Sequence, residues 1–227
     1  MNIKNTSQVT TDSHTVAVTV DCAIFGFSGE ALRVLLVRRA VAPYIGEWVL
    51  PGGALRRSET LEGTAARLLR DLVNVENVPV RQVGTYSSLD RHPVRRVITN
   101  AYFALVKPEH HDPIAREHLD QVQWCRLDEL PELGFDHHQI LVDAYLALKR
   151  DLSRQPLAFQ LLPESFTLKE AQQVYEAILG EELDRRNFRR KILAYDFLIN
   201  TEEKKTGVKG GPELYRVDDN KLENHLQ

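Results

Sequence analysis

Cysteine is scarce in this chain: Cys22 and Cys125 are the only two, and each lies in an apolar run. Such thiols behave as small buried hydrophobes, so no disulfide framework is expected and a reducing compartment fits. Long uncharged apolar runs are also missing, which excludes a membrane-spanning helix from the expectation. The segment Met1–Thr15 is polar where a secretory signal carries an apolar stretch. A cytoplasmic location with no membrane partner follows as the expectation. A charge excess of either sign is missing too, with 29 Lys and Arg against 32 Asp and Glu, so bulk electrostatics gives no reason to expect nucleic acid. Metal-ligand spacing is absent around His92 and the His137–His138 pair, and no metal or cofactor is expected.

What is there is a change of pattern along the chain. At 227 residues there is room for one domain of ordinary size and a smaller second one. Val16–Phe27 and Ala31–Val37 are β-prone runs around a Gly29 turn, which reads as a hairpin. After Pro51-Gly52-Gly53, the residues Leu61, Ala65, Leu68, Leu69 and Leu72 recur at three and four, predicting a helix that Ser58 caps. Val78–Tyr86, Val97–Val106 and Val122–Trp124 return to strand character, and His138–Lys149 is helical again. The junction is expected between Asp151 and Leu162, dividing the chain into residues 1–152 and 153–227.

Beyond the junction, Thr167 and Glu170 have capping-box spacing and open a helix that Gly180 stops. Asp184 opens a second, short helix with Phe188 and Ile192 on one face. Two apolar runs around Leu198 and Leu214 then flank a Lys- and Gly-rich segment suited to a hairpin tip. This order of elements suits a winged helix and also a small protein-interaction module. Charge separates the two. Arg185, Arg186, Asn187, Arg189, Arg190 and Lys191 crowd the second helix, and Lys204, Lys205 and Lys209 sit on the hairpin. Arginines four apart repel one another by a few tenths of a kcal/mol, roughly, per pair, and a phosphate backbone offsets that repulsion. A solvated, acid-paired face explains one basic cluster, whereas two in one short domain point to double-stranded DNA.

Gly53, Glu59 and Arg67 fall at the spacing of the Nudix box, and residues 16 to 150 resemble that family. The second half of the box departs from it. Leu68 stands where the family has the Glu after Arg, Asp71 and Leu72 replace the Glu-Glu pair, and Asn74 replaces a glycine. In Nudix hydrolases this helix seats Mg²⁺, and leucines cannot coordinate a metal. No enzyme is expected. The alternative is a Nudix hydrolase acting on ADP-ribose or a related nucleoside diphosphate derivative. Glu59 and Arg67, eight apart, are not an adjacent-turn pair on one regular helix, and their partners stay unassigned at this point.

Phe166-Thr167-Leu168, Val174-Tyr175-Glu176, Arg186-Asn187-Phe188-Arg189-Arg190 and the Gly-rich segment before Tyr215 resemble the Nudix-related transcriptional regulators. The resemblance implies an α+β chain, an α/β/α Nudix-like sandwich followed by a winged helix-turn-helix domain. It implies a homodimer on operator DNA, controlling NAD metabolism through ADP-ribose or sugar use through a pentose such as arabinose. The loop Asp90-Arg91-His92-Pro93 with Arg95 resembles an Asp-Arg-rich loop of these regulators. Asp90, Arg91 and Arg95 are therefore candidate effector contacts, as are Arg38, Arg39 and Glu47, because arginine forks suit phosphates and sugar hydroxyls.

Overall fold

The computed structural model describes residues 15–28, 31–108, 119–207 and 209–226. Its first part is built on one mixed sheet. The strands are β1 (Ala17–Ser28), β2 (Ala31–Arg39), β3 (Trp48–Val49), β4 (Gly52–Ala54), β5 (Arg81–Tyr86), β6 (Val97–Leu105) and β7 (Leu119–Arg126). The order is β3-β2-β1-β6-β5, with β4 also pairing β1 and β7 also pairing β2. Strands β1 and β6 run parallel, Val20 opposite Asn100 and Phe25 opposite Leu105. They read as nearly continuous apolar runs because both faces of the sheet are covered.

Side chains alternate between those faces. Val20, Cys22 and Ile24 of β1, Leu35 and Val37 of β2, and Tyr102 and Ala104 of β6 pack under α1 (Leu61–Val73). Their neighbours Ala23, Phe25, Val34, Leu36, Ala101 and Phe103 face α2 (His137–Leu152). The sheet is thus the middle layer of an α/β/α sandwich. The apolar layer under α2 continues past residue 152, through a 3₁₀ helix (Leu157–Leu161), into α3 (Leu168–Leu179) and α4 (Arg185–Ile192). It ends in the hairpin of β8 (Leu198–Lys204) and β9 (Glu213–Val217), with α5 (Asp219–Leu226) closing the chain.

Local chemistry explains most boundaries. The Thr167 hydroxyl accepts from the Glu170 amide at 3.2 Å while the Glu170 carboxylate accepts from the Thr167 amide at 2.8 Å, so the capping box of α3 is complete. Gly180 ends α3 in the left-handed region, at φ 72°. Asp184 caps α4 by accepting from the Asn187 amide at 2.8 Å.

One expectation needs correction, and the structure supplies two things that the sequence leaves open. The cap of α1 is Thr60, not Ser58: its hydroxyl accepts from Gly63 N at 3.0 Å. Strands β3 and β4, of two and three residues, are too short to show a periodicity, and helix α5 is likewise not among the expected elements. Glu59 and Arg67, which the sequence leaves without partners, bind one another, because Glu59 precedes the helix and is not confined to its spacing. The Gly29 turn and the polar start Met1–His14 lie outside the described residues.

Candidate functional site

A cleft of about 160 Å³ lies where the ends of β1, β2 and β4 meet the loop after β5 and the start of α2. Its floor is Asp21, a carboxylate inside the apolar strand β1 and only 5% exposed. Gly52 lets Asp21 stand there, since a Cβ at position 52 would lie 2.1 Å from Asp21 Oδ1. Arg91 reaches the floor from the β5–β6 loop. It donates through Nε and Nη2 to both oxygens of Asp136 at 2.9 Å, and through Nη2 to Asp21 Oδ2 at 3.3 Å. The bidentate geometry is the strong form of this pair.

His137 completes the buried cluster. Its Nδ1 accepts from the Leu50 amide at 2.9 Å, which leaves any ring proton of the neutral form on Nε2, 3.7 Å from Asp21 Oδ2. Burial pushes the His137 pKa down, against the opposing pull of Asp21 and Asp136.

The rim is aromatic and cationic. Phe135, at φ 58°, places its ring 5.6 Å from His92 at 28° between planes, and Tyr44, at φ 65°, meets its edge at 4.4 Å. Two non-glycine residues held at positive φ side by side are an investment in local strain, a recurrent feature of ligand sites. Arg39 lies over the same ring at 5.2 Å, anchored by the carbonyls of Pro43 at 2.7 Å and Ala42 at 3.4 Å. Arg95 lines the cleft as an exposed side chain. Burial, then the charges of Arg95, Arg91 and Arg39, lower the His92 pKa.

Of the six candidate effector residues, Arg39, Arg91 and Arg95 come together on this cleft. Arg91 differs from the expected open fork, because two carboxylates already hold it. Arg38 turns away to the Gly46 carbonyl at 2.8 Å and to Asp120 at 3.4 Å. Asp90 is exposed and accepts from the Ser88 hydroxyl, and Glu47 packs beside Gly134. Sequence reasoning missed Asp21, Phe135 and His137. Asp21 alone left a signal, a carboxylate inside a β-branched run.

The box helix does not fit a Mg²⁺ site. Leu68 and Leu72 are 7% and 4% exposed and belong to the core under α1. Glu59 is committed to Arg67, Nε to Oε1 at 2.7 Å and Nη2 to Oε2 at 3.0 Å. That pairing pulls the Glu59 carboxyl down to about 2. Among the described residues no group of three or more His, Cys, Asp or Glu side chains is placed to hold a metal ion. No helix there is long and apolar enough to cross a membrane.

The second candidate surface lies on the C-terminal part. Helix α4 buries Phe188 and Ile192 and exposes Arg185, Arg186, Asn187, Arg189, Arg190 and Lys191. Arg185, Arg189, Lys204, Lys205 and Lys209 share one groove between the start of α3, α4 and the hairpin tip. Arg186, Asn187, Arg190 and Lys191 lie outside its lining, Arg190 donating to Asn187 Oδ1 at 3.0 Å. Lys205 differs from its neighbours, because its ammonium is paired with Glu170 Oε1 at 2.5 Å.

A Nudix-like sandwich without its metal seat, continuous with a basic winged helix, is the arrangement of a ligand-sensing and nucleic-acid-reading protein rather than of a hydrolase. Residues 15–145 match the NUDIX domain family, and residues 158–217 match the NrtR DNA-binding winged helix domain. The ADPR responsive transcriptional repressor NtrR of Acinetobacter baylyi is 32% identical over 88% of this chain and 81% of its own length. Shewanella oneidensis NrtR in complex with a 27mer DNA superposes with a TM-score of 0.79 at 29% identity, over 91% of this chain and 95% of that one. The NUDIX domain of the same Shewanella protein with ADP ribose covers 59% of this chain and 89% of its own, at 30% identity and a TM-score of 0.53. The chain belongs to the NrtR-type, Nudix-related transcriptional regulators, a class of effector-responsive DNA-binding proteins.

Proposed function

We propose that this chain is an ADP-ribose-responsive regulator of genes of NAD metabolism, acting in the cytoplasm as a homodimer on operator DNA. The observation that carries this reading is the cleft itself: Arg39 and Arg95 line it beside an aromatic rim, while the adjoining box helix presents buried leucines where hydrolysis needs carboxylates. Such a site suits a ligand with phosphates and a stacking ring, held and not cleaved. A neutral pentose gives the two cations no charge to meet, which favours ADP-ribose over arabinose. The names of the Acinetobacter and Shewanella relatives point the same way. Residues 1–152 form the sensor and 153–227 the DNA reader, with the effector contacts narrowed to Arg39, Arg91 and Arg95, Arg91 acting through the floor it organises.

On the DNA side, Arg185, Arg189, Lys204 and Lys209 face the groove, and Arg186, Asn187, Arg190 and Lys191 extend the basic surface along α4. The test is fluorescence anisotropy of the full chain on a duplex enriched by that chain from a randomised library, with and without ADP-ribose, NAD or arabinose. ADP-ribose should change DNA affinity where arabinose does not. A response to arabinose alone, or sustained release of AMP from ADP-ribose, would overturn the reading.

A further inference from the structure

Helix α2 lies against β5 and the loop that follows it, tied by three polar contacts in antiparallel order. At its start, Asp136 takes the bidentate pair from Arg91 at 2.9 Å on the cleft floor. In its middle, Asp143 accepts from the Tyr86 hydroxyl at 2.8 Å. At its end, Asp151 pairs with Arg81 at 3.7 Å. Positions 136, 143 and 151 are seven and eight apart, close to two helical turns each, so all three ties fall on one side of the helix. The first is part of the cleft, and the last is at the passage into the winged helix.

Arg81 also has a second partner. Its Nη2 donates to the main-chain carbonyl of Leu226, at the end of α5, at 2.9 Å. From there α5 returns to the end of the basic helix. His225 Nε2 lies 2.9 Å from Asp196 Oδ1, and the Lys221 ammonium donates to the Asp196 carbonyl at 3.3 Å. Asp196 stands in the turn between α4 and β8, and the ring of His225 packs on Tyr195 and Phe197. Leu222 seats α5 in the shared core. Arg81 is therefore the side chain where the sensor sheet, the end of the rod α2 and the helix that braces α4 meet.

We propose that α2 and Arg81 carry the state of the cleft to the DNA-reading part, with Arg81 as a coupling residue that touches neither ligand nor DNA. A displacement of Arg91 or Asp136 on binding moves the start of α2. A packed helix shifts as one body, so the displacement arrives at Asp151 and Arg81 and thence at α5 and the end of α4. The inference rests on the effector reading for its ligand.

Two measurements on the full chain test it. The first compares DNA affinity with and without saturating ADP-ribose in the unaltered protein, in Arg81→Met, in Asp151→Asn and in a control, Arg57→Met, in the turn before α1. Affinities for DNA alone and ADP-ribose alone should stay within about twofold, while the ratio between liganded and unliganded DNA affinities, about 5- to 150-fold for coupling of ordinary size, falls toward one in both test variants and not in the control. A full ratio in Arg81→Met and Asp151→Asn overturns the proposal. The second measurement needs no ligand: hydrogen exchange of Tyr86→Phe, which loosens only the middle tie, should rise in α5 as well as in α2, and in an Arg81→Met background, where α5 has already lost its tie, adding Tyr86→Phe should bring no further rise in α5. Exchange changes confined to residues before 153 overturn the proposal by themselves. If the unaltered chain binds DNA but ignores ADP-ribose, the effector reading fails, and the exchange experiment still decides this inference.

Discussion

Arg67 grips Glu59 with two parallel bonds, Nε to Oε1 at 2.7 Å and Nη2 to Oε2 at 3.0 Å, and so fixes the loop before α1 to the helix it leads into. These two side chains of the Nudix box are thereby a structural clamp. The Glu59 carboxyl titrates at about 2, below its ordinary 4.5, chiefly through the hydrogen bond from Arg67. A depressed carboxyl contributes stability that is complete above the ordinary value and is lost as pH falls through the folded one. The melting temperatures of the unaltered protein and of Glu59→Gln should therefore differ near neutral pH and converge between about pH 4.5 and about 2. A difference that stays constant over that window contradicts the clamp.

Restoring the missing carboxylates should not restore an enzyme. Leu68 and Leu72 are core residues, and Leu72→Ala should cost about 2–5 kcal/mol through lost packing and the cavity alone. Leu68→Glu with Leu72→Glu should unfold the Nudix part at neutral pH, since buried unpaired carboxylates are worse than a cavity. Differential scanning fluorimetry reads the first, and circular dichroism the second. The unaltered chain should release no AMP from ADP-ribose with Mg²⁺ or Mn²⁺.

Arg91 and Arg95 should separate structure from binding. Arg91→Met strands Asp21 and Asp136 without their partner and should cost about 3–5 kcal/mol of stability, the range for breaking a buried pair. Arg95→Ala, at an exposed position, should leave the melting temperature unchanged and weaken ADP-ribose binding by calorimetry. Undiminished affinity in Arg95→Ala removes that residue from the effector site.

Lysines of the hairpin should not behave alike. Arg189→Ala with Arg190→Ala should weaken DNA binding and lower the slope of log affinity against log salt by up to about one unit for each phosphate left without its arginine. Lys205→Ala should instead act on stability, because its ammonium serves the Glu170 carboxylate of the α3 cap. Anisotropy titrations at several salt concentrations, with thermal melts of the same variants, distinguish the two. An unchanged salt slope in the folded double variant sinks the α4 assignment.

Much of the architecture was legible one residue at a time. The capping box of Thr167 and Glu170, the stop at Gly180 and the cap at Asp184 are interactions between chain neighbours, and neighbours are what a sequence displays. The defect of the Nudix box and the charge of α4 are likewise properties of residue type at known spacing. The rest depended on partners far away in the chain. Arg91 looked like an open donor until the sheet set it against Asp21, 70 positions back, and Asp136, 45 ahead. Lys205 looked like a phosphate contact until the hairpin folded it onto Glu170, 35 positions away. Arg38 and Arg39 are adjacent and chemically alike, yet the alternation of β2 and the loop after it send one to Asp120 and the other over Phe135 in the cleft. Local rules decide which helices and strands form because they reach about four residues. Which charges remain available for a ligand is decided by strand register and layer packing, which alone bring distant partners within hydrogen-bond distance.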